Sequence, residues 1–177
     1  MRHTAMVVLV GMIGTLGCTR ASAPATGEWD AAATASLKAE PEAMLNEIDA
    51  GHFEAVEAKM DSDAIAFDFD SSNAPVRMQG VADIKKVFDG YANMMKTQQL
   101  KMKSTLVSSD CRATTSMGFC AIEFDQSATT PTGTMGPYKF RGTLVARRVA
   151  DGWRWAHWHG SFREMPAMPA AAASAKH

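Results

Sequence analysis

The sequence predicts an α+β domain, a curved antiparallel sheet packed against helices that come first in the chain. Three observations predict it. Apolar residues keep a helical period up to Met60, they alternate as in strands from Leu100 onward, and Asp151-Gly152 between the last two apolar runs is a hairpin signal. Helices first and strands last means helices laid across one face of a sheet, and a curved sheet closed in this way leaves a cavity.

From Glu28 the chain is rich in Ala, Glu and Leu, which favours helix until Pro41, a residue suited to the first turn of a new helix. Met44, Leu45 and Ile48 give that second segment one apolar face. Gly51 interrupts it. Phe53, Val56 and Met60 then continue the helical spacing in a short helix that Asp61-Ser-Asp63 is expected to end. Ala64 to Phe69 follows as a strand in which Ile65, Phe67 and Phe69 alternate with Ala64, Ala66 and Asp68, and a turn containing Asn73 and Pro75 comes next. Between Gly80 and Met95 the positions of Val81, Ile84, Val87, Phe88, Tyr91 and Met95 return to the helical period, so this helix should pack on the sheet. The remaining strands are expected over Leu100–Val107, Phe119–Phe124, Tyr138–Val149 and Trp153–Phe162.

The chain has 177 residues and is 46% hydrophobic, enough for a single buried core over residues 28–163. Lys and Arg total 18 against 19 Asp and Glu, so no strong field steers it toward nucleic acid or an anionic membrane. Residues 1–18 read as an export signal, because the apolar run Ala5–Leu16 is too short for a bilayer, which needs about 20 residues. Gly17-Cys18 is similar to a bacterial lipoprotein cleavage box, with Cys18 the lipidated first residue. Thr15 departs from that box, and Ala21-Ser-Ala23 keeps ordinary secretion open as the alternative. The expected location is therefore outside the cytoplasm, periplasmic or held to the membrane by lipid alone. Residues 19–27 read as a linker and residues 164–177, rich in Ala and Pro, as a flexible tail.

Cys111 and Cys120 flank the polar turn Arg112–Gly118, and in an oxidising compartment such a pair is most simply a structural hairpin disulfide. Closer Cys-x-x-Cys spacing would be needed for a redox dithiol.

Three passages carry a family resemblance. Leu45-Asn-Glu-Ile-Asp-Ala-Gly-His-Phe-Glu-Ala-Val56 leading to Asp63-Ala-Ile-Ala-Phe67 resembles a two-helix opening before a first strand, with His52 where relatives commonly carry a capping aspartate. Val76-Arg-Met-Gln-Gly-Val-Ala-Asp-Ile84 is similar to the start of the next helix. Arg141-Gly-Thr-Leu-Val145 with Asp151-Gly-Trp-Arg-Trp-Ala-His-Trp-His-Gly-Ser161 resembles a terminal hairpin found in SnoaL-like proteins and in the calcium/calmodulin-dependent kinase association domain. On these strings, residues 41–163 resemble the nuclear transport factor 2-like superfamily, in its SnoaL-like and ketosteroid-isomerase-like branch. The resemblance implies a cone-shaped domain, often dimeric, with an apolar pocket between helices and sheet. Its members include isomerases, cyclases, dehydratases and non-enzymatic binders, so the resemblance speaks for fold more than for function.

The last strand holds the main open question. Strict alternation puts Trp153, Trp155, His157, His159 and Ser161 on one face and Arg154, Ala156, Trp158, Gly160 and Phe162 on the other. On the preceding strand Tyr138, Phe140, Gly142, Leu144 and Ala146 should face inward. A tight Asp-Gly turn pairs Val149 with Arg154 and turns the histidines inward; a three-residue or bulged connection places Trp158 and Gly160 inside instead. Inward histidines about 7 Å apart could ligate a metal, with Asp68 or His52 as the third ligand, or one could serve as a base. The plainer reading makes them polar wall or interface residues. Isomerase chemistry would need a carboxylate such as Asp68 or Glu123 and a donor such as Tyr91 or Tyr138, and no spacing singles these out. The scattered methionines, Met94 and Met95 among them, read as core filler, not copper ligands. No cofactor or metal is expected. The favoured function is a binding module for a small hydrophobic or aromatic molecule, lined by Phe69, Tyr91, Tyr138, Phe140, Trp158 and His159, acting as a homodimer. The alternative is an isomerase, cyclase or dehydratase that moves a proton through Asp68, His157 or His159.

Overall fold

The computed structural model describes residues 28–72 and 74–164. The signal at 1–18, Cys18, the linker at 19–27, Asn73 and the tail from 165 lie outside the described residues. Three helices open the chain: α1 (Ala31–Lys38), α2 (Glu40–Ala50) and α3 (Phe53–Glu57). Asp30 caps α1, its Oδ1 accepting the Ala33 N–H at 2.6 Å. Pro41 sits in the first turn of α2, and Gly51 ends that helix at φ 76°, a left-handed conformation that costs glycine nothing. His52 precedes α3 without a side-chain cap and bonds Glu47 instead, at 2.9 Å.

Strand β1 (Met60–Phe69) begins directly after α3, so Asp61-Ser-Asp63 lies within a strand and does not close a helix. The reason is tertiary. Trp155 N donates to Lys59 O at 2.8 Å, and Arg147 pairs with Asp61 and, at 3.7 Å, with Asp63, fixing this stretch to the sheet. Pro75 opens a short edge strand, β2 (Pro75–Gln79), in place of the expected turn, a position proline tolerates because an edge demands fewer ladder bonds. Helix α4 (Gly80–Thr97) follows, then the long strands β3 (Lys101–Ala113), β4 (Met117–Thr130), β5 (Gly133–Val149) and β6 (Gly152–Glu164).

The six strands form one sheet in the order β2-β1-β6-β5-β4-β3. It is a mixed sheet. All neighbours are antiparallel except β1 and β6, which the intervening elements bring together in parallel. Cys111 and Cys120 are direct partners across β3 and β4 and form a disulfide. The strands are bent by irregularities in register at Val107 on β3 and at Ala156 on β6, where one residue has no partner across the ladder.

Such bending wraps the sheet around the helices. At one end the wrap is filled by Leu37, Leu45, Val56, Ile122, Leu144, Trp153 and Trp155, all buried. Trp153 satisfies its indole N–H on Ser36 Oγ at 3.2 Å, as an apolar core requires. Met78, Ile84, Ala64 and Ala66 make a second packed group under α4. Ala64 and Ala66 are thus the inward residues of β1, while Phe67 faces out. Two small side chains leave room for α4, which larger ones at those positions would push away.

Candidate functional site

Toward the other end the helices and sheet diverge, and a cavity of about 430 Å³ remains between them. Its roof is Leu45 and Ile48 of α2, Phe53 of α3, and Phe88, Tyr91, Met94 and Gln98 from α4 and its end. Its floor is the sheet: Asp68 and Phe69, Met102, Phe124 and Gln126, Tyr138 and Phe140, and Trp158, Gly160 and Phe162. Four floor rings run in sequence. Centroid separations are 5.1 Å for Phe124–Phe140, 4.8 Å for Phe140–Phe162 and 4.9 Å for Phe162–Phe69. In the roof, Phe53 lies 5.3 Å from Phe88 and 6.4 Å from Tyr91. These are ordinary aromatic packing distances, so the walls are held by ring contacts and do not depend on an occupant.

One carboxylate stands in this apolar surface. Asp68 Oδ1 accepts the Phe69 N–H at 2.9 Å, and the Trp158 indole N–H donates to Oδ2. Gly160 is what makes room for it: a Cβ there would come within 2.8 Å of Oδ1. Burial pushes the Asp68 carboxyl up to about 6, against the opposing pull of the two hydrogen bonds and of His159. Tyr91 donates its hydroxyl to Phe69 O at 2.9 Å and also lies 3.2 Å from Asp70 O. Burial, with the negative charge of Asp68 and Asp70 added, raises its pKa.

Of the residues expected at a pocket, Phe69, Tyr91, Tyr138, Phe140 and Trp158 line the cavity, and Asp68 joins them. His159 does not. His157 and His159 lie on the outer face, with ring centroids 6.1 and 6.2 Å from Phe67. The strict alternation expected for the last strand is therefore corrected. Its two-residue turn is Ala150-Asp151, with Val149 opposite Gly152, so the parity at the turn favours inward histidines. The register then slips between Ala146–Trp155 and Val145–His157, and Ala156 is the unpaired residue. Before the bulge Trp153 and Trp155 face the core; after it Trp158, Gly160 and Phe162 do.

Glu123, a candidate base, is also on the outer face, where Arg163 holds it at 2.6 Å and Asp125 at 3.0 Å. His52 is bound to Glu47. Among the described residues no three His, Cys, Asp or Glu side chains converge to hold a metal ion. Phe53, Phe88, Phe124 and Phe162 complete the aromatic lining, beyond the residues the sequence singles out. Helical spacing marks Phe53 and Phe88 as inward, and Phe162 shares a face with Trp158, so the signal is present but reads equally as core.

A family model for the SnoaL-like domain matches residues 38–167, and the chain belongs to that family. No curated protein matches the sequence. Among solved structures, an NTF2-like protein with a cystatin-like fold from Novosphingobium aromaticivorans is similar at TM-score 0.59 and 13% identity, over 75% of this chain and 83% of that one. The CaMKII hub of S. rosetta gives 0.57 and 19%, over 73% and 95%. A ketosteroid isomerase-like protein from Erwinia carotovora atroseptica gives 0.56 and 16%, over 75% and 97%. These likenesses establish the NTF2-like fold, which serves both ligand binding and catalysis.

Proposed function

We propose that this domain binds a small hydrophobic or aromatic molecule in the cavity between helices and sheet. The observation that carries the reading is the cavity itself, about 430 Å³ and walled mainly by aromatic and aliphatic side chains already packed against one another. Preformed apolar sites of this size suit drug-sized molecules. A neutral fluorescent probe, N-phenyl-1-naphthylamine, is expected to bind with enhanced emission. Filling the cavity from its lining with Ala128→Trp should abolish that signal while the melting temperature is kept. No binding by the unmodified protein would overturn the reading.

A second reading, an isomerase, cyclase or dehydratase, is favoured by the placement of the Asp68 carboxyl in an apolar wall, whose burial pushes its pKa up. Two hydrogen-bond donors nearby count against it. The Tyr91 hydroxyl is committed to backbone carbonyls and the Trp158 N–H to Asp68, so neither is free to receive a developing oxyanion. If it is an enzyme, Asp68→Asn removes turnover and leaves binding intact.

We infer also that the protein is exported and carries lipid on Cys18, with residues 19–27 as a tether and the segment after Glu164 as a tail. The disulfide supports an oxidising compartment. Mass spectrometry of the mature N-terminus tests this, and an unmodified start beyond Cys18 would rule lipid out. A homodimer through the outer sheet face is the proposed assembly, supported by Phe67, which is 41% exposed between two histidines.

A further inference from the structure

The binding reading names a hydrophobic occupant but not its charge, and the cavity wall restricts that. Among the described residues nine that line the cavity are aromatic, Asp68 is the sole acid in the lining, and none is Lys, Arg or His. The other polar groups, such as Gln98, Gln126 and Ser127, are neutral. An anionic amphiphile entering here would leave water, meet a carboxylate and find no counter-charge. A neutral molecule meets no such penalty. A cation gains twice, from the carboxylate in a poorly screened site and from the negative faces of the surrounding rings.

The geometry of Asp68 fits this role. Each carboxylate oxygen accepts one N–H from the protein, Phe69 on Oδ1 and Trp158 on Oδ2. A carboxylate oxygen has two lone-pair directions, so each retains capacity for a further donor. Gly160 lets the carboxylate lie against bare backbone, since a Cβ there would come within 2.8 Å of Oδ1. Three rings, Phe69, Tyr91 and Trp158, line the cavity in the same neighbourhood. We propose that the pocket selects a protonated hydrophobic amine, its ring system among the aromatic walls and its ammonium on the Asp68 carboxylate. This rests on the binding reading above and specifies the chemical class of its ligand.

The groups that bear on the charge of Asp68 are few. They are the Phe69 and Trp158 N–H donors and His159 of β6 on the opposite face of the sheet, while Tyr91 of α4 is neutral and Asp70, just past the end of β1, bears on Tyr91. Arg77 of β2 is paired in register with Phe67, which puts it on the outer face.

The test is calorimetric titration of the purified protein with three probes of one shape: 1-naphthylmethylamine, 1-naphthylmethanol and 1-naphthoate. At about pH 8 the amine is expected to bind about tenfold more tightly than the alcohol, the sum of one ion pair and its ring contacts after desolvation, with naphthoate weakest. The amine stays protonated at and below that pH. Its advantage over the alcohol should collapse as the pH falls through about 6 and Asp68 takes up a proton. Asp68→Asn should remove the amine's preference over the alcohol.

Equal binding of amine and alcohol, tight binding of naphthoate, or a preference that survives Asp68→Asn would each overturn the proposal while leaving a hydrophobic binding site in place. Failure of all three probes would overturn the proposal together with the binding reading. If Asp68→Asn does not fold, the pH dependence of the preference in the unmodified protein decides, and a preference that persists at about pH 4.5 overturns it.

Discussion

Asp68 couples the pocket to the stability of the whole domain. Its folded pKa, about 6, lies above the 3.8 of a free aspartate, so between those values the native state holds a proton that the unfolded chain has released. Stability contributed by this group is complete below pH 3.8 and is lost as the pH rises through about 6. Asp68→Asn is therefore expected to stabilise the protein at neutral pH by about 1–2 kcal/mol, since a tenfold change in proton affinity corresponds to about 1.4 kcal/mol and the side chain keeps contact with the cavity. Melting curves at several pH values check this, and the gain should vanish near pH 4. Gly160→Ala acts on the same spot from the other side. Its methyl group would press on the Asp68 carboxylate, and the expected cost is about 1–3 kcal/mol with weaker ligand binding, read from denaturant unfolding and titration. The sequence offers Asp68 as a candidate only among others. What marks it is its contact with Trp158, 90 positions away, and with the bare backbone of Gly160.

Among the elements, α2 is joined to the sheet by a small set of polar contacts beside its buried apolar face. Asp49 Oδ2 accepts the Ser104 N–H at 2.5 Å and Oδ1 the Ser104 hydroxyl at 2.7 Å, while Gln126 donates to that hydroxyl at 3.1 Å. Asp49→Ala would leave the buried Ser104 N–H unpaired and the Ser104 hydroxyl without its acceptor, so a loss of about 2–3 kcal/mol is expected in urea unfolding. The Cys111–Cys120 bridge closes the β3–β4 hairpin with a sequence separation of 9. Replacing both cysteines with alanine should cost about 2–3 kcal/mol, the value for so short a loop, without altering the probe-binding affinity. These elements were legible to different degrees. The presence of the helices, of a last hairpin and of the disulfide partners follows from local spacing, although α3 ends at Glu57 and the turn falls at Ala150-Asp151, one residue before the Asp-Gly pair. The edge strand at Pro75 does not, because proline and its neighbours read as a turn until a partner strand lies alongside. The bulge at Ala156 does not either. Nothing in Trp-Ala-His distinguishes a regular strand from one that skips a residue, and that skip decides whether histidines or Trp158 face the cavity.

At the scale of the molecule, one sheet has two surfaces with separate tasks. The inner one builds core and cavity. The outer one carries Phe67, His157, His159 and the Arg163 cluster with Glu123 and Asp125. If two copies meet through this face, Phe67→Arg should shift the sedimentation of the protein from dimer to monomer and leave probe binding intact, whereas unchanged sedimentation would send the interface elsewhere. What the sequence by itself determined was the α+β class, the order of its elements, the hairpin disulfide and most of the aromatic side chains available for a pocket, because periodicity and turn chemistry are local properties. What only the tertiary structure decided was where those side chains converge. The parallel pairing of β1 with β6 and the slip at Ala156 bring Asp68, Trp158 and Gly160 together, and such a junction depends on register between distant strands, which no local pattern encodes.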